Sequence, residues 1–417
     1  MNILIKSATI IDPSSDFHNT TQDILIENGT IASIGSNLEN TKGYSEITFE
    51  NLHISQGWFD SSVCFGEPGY EERETIANGL KTAALSGFTA VALNPNTNPV
   101  IDTSADVAYL INKAQNHAVD LLVIGALTLG SKGVHLAELF DMRNAGAIAF
   151  YDYKNAIANP ELLKIAMQYA SNFDALVCAY PQNDQIAGAG VMNEHLTSTS
   201  LGLKGIANLA EELQVARDLF LLEYTQGKLH IPTISTAKSV ELIRAAKAKN
   251  LNVTCSVAIH NLYFTDESLT DFNTNFKVLP PLRTQNDVKA LINGLKDGTI
   301  DMVTSDHNPL DIELKKVEFD HASFGSLGLE SAFGALQAIF KLEKTIALLT
   351  SGKERFGLTA TPIAVGNTIN ATLFNPIPKY TFSTTYILSK SKNAMFEGQT
   401  LKGKVYGIIA NNSYYLT

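Results

Sequence analysis

Cysteine, tryptophan and positive charge are all scarce in this sequence. Its 417 residues include 3 cysteines and 1 tryptophan. Cys64, Cys178 and Cys255 stand too far apart for a disulfide framework or a zinc ribbon. Lys and Arg number 31 against 42 Asp and Glu, a formal charge of −11. That balance argues against a surface that tracks phosphates, so no nucleic-acid partner is expected. The basic residues are scattered, and Lys315-Lys316 reads as a solvated pair. No apolar run reaches the ~18 residues of a membrane span. The opening stretch MNILIKSATIIDPSS alternates like a strand and lacks the apolar core of a signal peptide. The expectation is a soluble, cytoplasmic protein with no membrane partner.

What is present is material for a large core, with 45% of residues hydrophobic and 18% charged. The middle of the chain alternates helical patterns with short apolar runs. Asn159-Pro160-Glu161 reads as an N-cap, a first-turn proline and a dipole-matching acid. Leu162, Ile165, Ala166 and Tyr169 follow on one helical face, and Ala175 to Ala179 reads as a buried strand. The unit recurs, with Ile76, Leu80, Ala83 and Ala84 before the strand Phe88 to Leu93. Val240, Ile243 and Ala246 precede Val253 to Val257, and Val288, Leu291, Ile292 and Leu295 precede Ile300 to Val303. Eight strand candidates start near Gly57, Phe88, Leu121, Ala147, Ala175, Leu229, Val253 and Ile300. Apolar strands alternating with helices predict a parallel sheet covered on both faces, as a closed (β/α)8 TIM-like barrel or a doubly wound open sheet. The two ends read instead as β-hairpins, punctuated by Asn28-Gly29, Asn375-Pro376, Gly398, Gly403 and Gly407. The expected organisation is α/β: a barrel over 55–354 and a small β-sandwich domain formed by both termini, 1–54 plus 355–417.

Several strings then narrow the family. They include Glu67-Pro68-Gly69-Tyr70-Glu71, Asn94-Pro95-Asn96-Thr97-Asn98-Pro99, Gly190-Val191-Met192-Asn193-Glu194, Pro280-Pro281-Leu282-Arg283, Asp306-His307 and Ser389-Lys390-Ser391-Lys392-Asn393. They run nearly end to end, and the chain resembles the dihydroorotases of the amidohydrolase superfamily, of the multifunctional-complex type. The resemblance implies zinc at the C-terminal mouth of the barrel, polarising a cyclic amide and activating water while a strand-eight Asp moves the proton.

At those positions the sequence departs from the pattern. The strand-one His-x-His pair falls on Ser62 and Cys64, and the Arg that follows falls on Gly66. The strand-five His falls on Tyr180, the strand-six His on Thr233, and the second His of the strand-eight loop on Leu310. Asp152 and Asp306 are kept. Asn96 is the weak candidate for a substrate carboxylate. Hydroxyls and a phenol are poor zinc ligands beside imidazole, so no metal cofactor is expected. Asp306 is expected as a buried relic, Cys64 as a small apolar thiol and His230 as a packed core histidine. Three functions are open. The first is a catalytically inactive dihydroorotase homologue of pyrimidine biosynthesis, with a structural role beside aspartate transcarbamoylase and forming a homo-oligomer, most simply a dimer. The second is a cyclic-amide hydrolase with a reduced metal set of Asp152, Asp306 and Cys64 or His307. The third is a small-ligand binding module whose mouth is remodelled by Tyr180, Leu310 and Phe65.

Overall fold

The computed structural model describes residues 1–417. Eight parallel strands succeed one another in chain order: Trp58–Val63, Phe88–Leu93, Asp120–Gly125, Ala149–Phe150, Leu176–Cys178, Leu229–Ile231, Val253–Ala258 and Met302–Thr304. Each pairs with the next, as when Val91 stands opposite Leu121 and Leu229 opposite Val253. Strands one and eight are joined by the Val63–His307 bridge and by side chains. The Asp60 carboxylate accepts from Ser305 N at 2.9 Å and Ser62 N at 3.0 Å, and from the Thr304 hydroxyl. The bridge and the bonds from Ser305 and Thr304 close a TIM-like barrel, with every strand apolar enough to be buried on both faces.

The helices start where side chains can satisfy the first free N–H groups. Thr75 accepts from Asn78 N, Asn159 from Glu161 N at 2.9 Å, and Thr236 from Ser239 N. Helix Ile76–Leu85 ends before Gly87, whose φ of 95° is left-handed, and the chain turns directly into strand two.

The terminal segments build a second, mixed sheet. Strands Ile3–Ile10, Thr21–Glu27, Thr30–Gly35, Ser45–Ile47 and His53–Gln56 join Ala371–Thr381, Thr400–Ala410 and Ser413–Leu416. The seam between the chain ends is antiparallel, Ile54 opposite Leu373. One face buries Ile3, Ile5, Ile24, Ile26, Ile54 and Leu373 in a core separate from the barrel's. Asn375-Pro376 lies within a strand, at a register shift where the edge of the ladder tolerates proline.

The barrel interior is a single packed column. Phe59, Ala90, Leu176 and Met302 fill its N-terminal end with Phe356, whose ring lies 5.4 Å from that of Phe59. Cys64, Tyr151, Tyr153 and Tyr180 continue the column to the C-terminal mouth.

Candidate functional site at the barrel mouth

The strand ends bring the family positions to one place and bury them. Ser62 is 5% exposed, Cys64 3%, Tyr180 2%, Thr233 2% and Asp306 3%. Two of these, Thr233 at φ 50° and Asp306 at φ 49°, sit in the left-handed region, as does Lys154 at φ 54°. A β-branched residue in that region is strained, and such strain clusters at functional sites.

Lys154 organises the mouth. Its Nζ lies 2.8 Å from Asp306 Oδ2, and both side chains are nearly removed from solvent. Its backbone N donates to the Tyr151 hydroxyl at 3.3 Å. His260 stands on the other side, with Nε2 4.0 Å from the same Asp306 oxygen. Burial, and then the Lys154 charge, push His260 down to about 3, so it is neutral near pH 7. Burial raises the Asp306 carboxyl against the pull of Lys154. Asp306 Oδ1, His260 Nε2, Tyr153 Oη and Thr233 Oγ1 find no hydrogen-bond partner. Neither Lys154 nor His260 stands at a family ligand position. The signal for Lys154 in sequence is a lone cation two residues beyond Asp152.

The two kept carboxylates do different work. Asp152 accepts from Leu127 N at 2.8 Å, Thr128 N at 2.9 Å and the Thr128 hydroxyl. It is committed to the loop after strand three, and burial pushes its carboxyl up to about 6. Cys64 receives the Asn94 amide at 3.7 Å, and burial pushes its thiol up to about 11, so it is a protonated, apolar side chain. The same Asn94 amide donates to Ser62 Oγ at 3.0 Å.

Zinc does not fit this donor set. Nowhere do three or more His, Cys, Asp or Glu side chains converge as a metal cage. Asp152 is spent on backbone N–H groups, and the Asp306 oxygen already faces an ammonium. The loop after strand one leaves no room for the arginine position either. A Cβ on Gly66 would collide with the carbonyl of Tyr70, and Gly66 O accepts from Tyr70 N at 2.8 Å. No arginine side chain fits there without moving that turn.

The other sequence candidates fall as follows. His307 is fully buried and accepts from Gly328 N at 3.2 Å and Leu329 N at 3.4 Å through Nδ1. It caps the helix Leu329–Ile339 rather than serving Asp306 as an acid–base partner. Leu310 is buried, and its N donates to Asn393 Oδ1 at 3.1 Å. Asn96 is half-buried in the bend after strand two. Phe65 packs against Gly79 in the core between barrel and helices rather than lining the mouth. His230 pairs with Thr254 Oγ1 at 3.0 Å and Ser256 Oγ at 3.3 Å, and burial pushes it down to about 3. Lys315 is 5% exposed, so the reading of Lys315-Lys316 as a solvated pair holds only for Lys316. The short turn Ile312–Lys315 folds the Lys315 side chain inward, onto backbone carbonyls that neighbouring residue types do not reveal.

A further polar network was legible only as part of a motif. Arg283 is buried and donates to Ser235 Oγ at 3.0 Å, Asn193 Oδ1 at 2.9 Å and Ile206 O at 2.7 Å. Its Nη2 lies 3.9 Å from Glu211, which also accepts from Ser235 N at 2.8 Å. Pro280-Pro281-Leu282-Arg283 therefore ties the loops around strands five to seven together.

The sequence profile described as Dihydro-orotase-like matches residues 53–239. The chain is 40% identical to a dihydroorotase of Acetivibrio thermocellus, over 99% of this chain and 98% of that relative. It is 37% identical to a dihydroorotase of Trichlorobacter lovleyi, over 97% of this chain and 96% of the relative. In fold it is similar to the L-hydantoinase (dihydropyrimidinase) of Arthrobacter aurescens, with a TM-score of 0.84 at 20% identity, covering 99% of this chain and 95% of that one. The identity extends over nearly the whole length of both chains, and the chain belongs to the dihydroorotase family.

Proposed function

We propose that this member of the dihydroorotase family does not hydrolyse dihydroorotate and acts as a structural partner of aspartate transcarbamoylase in pyrimidine biosynthesis. The observation that carries the reading is the Lys154–Asp306 pair at 2.8 Å. Strand-eight Asp is the proton-moving group of the family chemistry, and here a fixed ammonium of the chain itself neutralises it. The buried mouth, the missing imidazoles and the Gly66 turn each remove a separate requirement: water activation, ion binding and substrate anchoring.

The partner half of the proposal draws on the helix Asn208–Thr225. Its inward face buries Ala210, Val215, Leu219 and Leu222 together with polar Glu211, Gln214 and Asp218, while Leu209, Leu213, Phe220 and Tyr224 are exposed, the last two at 72% each. An apolar stripe on the solvent side of a helix is a surface that protein partners cover.

Two measurements test the reading. Purified protein supplied with zinc should give no dihydroorotate turnover above background, and steady turnover would overturn the inactive assignment. Affinity-tagged protein should retain aspartate transcarbamoylase from its own cell extract. The variant Phe220→Asp/Tyr224→Asp should release it, and retention by the variant would remove this helix from the interface.

A further inference from the structure

Two buried lysines make no salt bridge, and only Lys277 has a carboxylate, that of Asp320, close enough to act on it. Lys277 is 2% exposed and Lys315 5%. Lys277 Nζ donates to the carbonyls of Phe319 at 2.7 Å and Asp320 at 3.0 Å. Lys315 Nζ donates to the carbonyls of Ser323 and Gly325, each at 3.0 Å, and lies 3.4 Å from that of Lys277. Neither takes part in any ion pair of the chain. Lys277 also lies over the rings of Phe319 at 5.4 Å and Phe324 at 4.9 Å, whereas the carbonyls around Lys315 satisfy its hydrogen bonds but leave its charge uncompensated, and buried ammonium groups are rare unless paired. Burial, and then the Lys277 charge, push Lys315 down to about 7.

Lys315 lines a cavity of 430 Å³. Lys316, Lys390 and Lys392 line it too, and all three are exposed and without an ion pair. Lys390 Nζ is tethered to Glu71 O at 2.8 Å, and Lys392 Nζ to Ser389 O at 2.7 Å, so neutral groups hold both in place. The acids in the lining are Glu72, which lies 3.5 Å from Arg73, and Asp311, which accepts from Glu313 N at 2.8 Å. Amides and hydroxyls such as Asn273, Asn275 and Ser391 make up much of the rest. The volume is that of a metabolite site, and the wall has the composition of one for a polar ligand.

We propose that this cavity binds a small phosphate-bearing polyanion, with Lys315 beneath it and Lys316, Lys390 and Lys392 around its rim. All four cations are lysines. Lysine acts as a point charge, which suits a tetrahedral phosphate, whereas planar carboxylates are held better by the arginine fork. The proposal is independent of the mouth chemistry, since Lys154 and Asp306 take no part in it.

Inorganic pyrophosphate is the probe, titrated at constant ionic strength by calorimetry and by melting temperature. The expected result is a saturable isotherm with Kd below about 1 mM and a matching rise in Tm. Lys390→Gln and Lys392→Gln should each weaken binding about tenfold, the effect of losing one charge-assisted contact. Lys315→Met should abolish it, and the two surface variants keep the test valid if that variant does not fold. Lys238→Gln, which lines no part of the cavity, should bind like the unmodified protein. Absence of saturable binding, or unchanged binding in the Lys390 and Lys392 variants, would overturn the site. Succinate binding as tightly as pyrophosphate would overturn the phosphate assignment.

Discussion

At the N-terminal end of the barrel, Phe59, Leu176, Met302 and Phe356 pack into one another, and His230, 5.4 Å from the Phe356 ring, is the main polar neighbour. At the C-terminal end the same column is closed by Lys154, Asp306, His260, Tyr153 and Thr233, and four of their polar atoms lack partners. Both ends are buried, but only one is filled by residues suited to burial. An apolar plug gains from being closed off from water. A polar cluster must offset the desolvation of each group, and where atoms stay unpaired it does so incompletely. The mouth therefore holds a buried carboxylate against an ammonium, where the opposite end holds only packed apolar side chains and one neutral histidine.

Removing the plug should have the largest effect. Phe356→Ala leaves a cavity in a tightly packed interior and should lower unfolding stability by about 4 kcal/mol, read from the denaturant midpoint. At the mouth the sign depends on what is removed. Lys154→Met strips Asp306 of its partner and should be destabilising by about 3 kcal/mol. The double variant Lys154→Met/Asp306→Leu removes both charges and should return to within about 1 kcal/mol of the unmodified protein or exceed it. If the double variant is as unstable as the single, the mouth is held by its ion pair and the contrast between the two ends fails.

The two buried histidines, one at each end, sharpen the comparison by pH. His230 and His260 are both pushed down to about 3 from an ordinary value of 6.5. Between those values the unfolded chain binds a proton that the folded chain does not, so stability falls as pH drops through the window. Asp152 and Asp218, both pushed up to about 6, act in the opposite sense, because the folded state takes up their protons first. A single variant isolates one contribution. On going from pH 7 to pH 5, the stability gap between the unmodified protein and His230→Gln should narrow by about 2 kcal/mol. A gap that does not change with pH would mean that His230 takes up its proton in the fold as readily as in the unfolded chain.

The architecture was legible because it rests on periodicity and caps. The eight expected strand starts fall within two residues of those observed, and Asn159-Pro160-Glu161 opens its helix as its residue types require. The terminal hairpins meet in one sheet because their alternating isoleucines share a face. The candidate site was legible only as a set of losses. That Ser62, Tyr180 and Thr233 stand where imidazoles would is visible in the string. That Lys154 turns through a left-handed backbone to reach Asp306, 152 residues further on, is not. Lys315 illustrates the same limit, since its partners are backbone carbonyls and carbonyls leave no trace in residue type.

The smallest effect belongs to reversion. Ser62→His restores one imidazole at the end of strand one, but Lys154 remains beside Asp306 and the other imidazole positions stay changed, so dihydroorotate turnover should stay at background. Contributions of residues that act as a unit are strongly non-additive, and one part returned to an incomplete unit gains almost nothing. Returning five parts meets a different obstacle. In Ser62→His/Cys64→His/Gly66→Arg/Tyr180→His/Thr233→His, the new arginine must leave the space now taken by the Tyr70 carbonyl, so the turn Gly66–Tyr70 has to open before any side chain can point at a substrate. Even with zinc supplied, the expected turnover is weak at best, because Leu310 and the groups behind the ligands stay changed. Adding Lys154→Met to the five should matter more than any single histidine, since it frees Asp306 from its ammonium. Rescue by Ser62→His alone would show that a nearly complete site persists under the closed mouth, and that the chemical difference between the two ends of the barrel is shallower than their packing indicates.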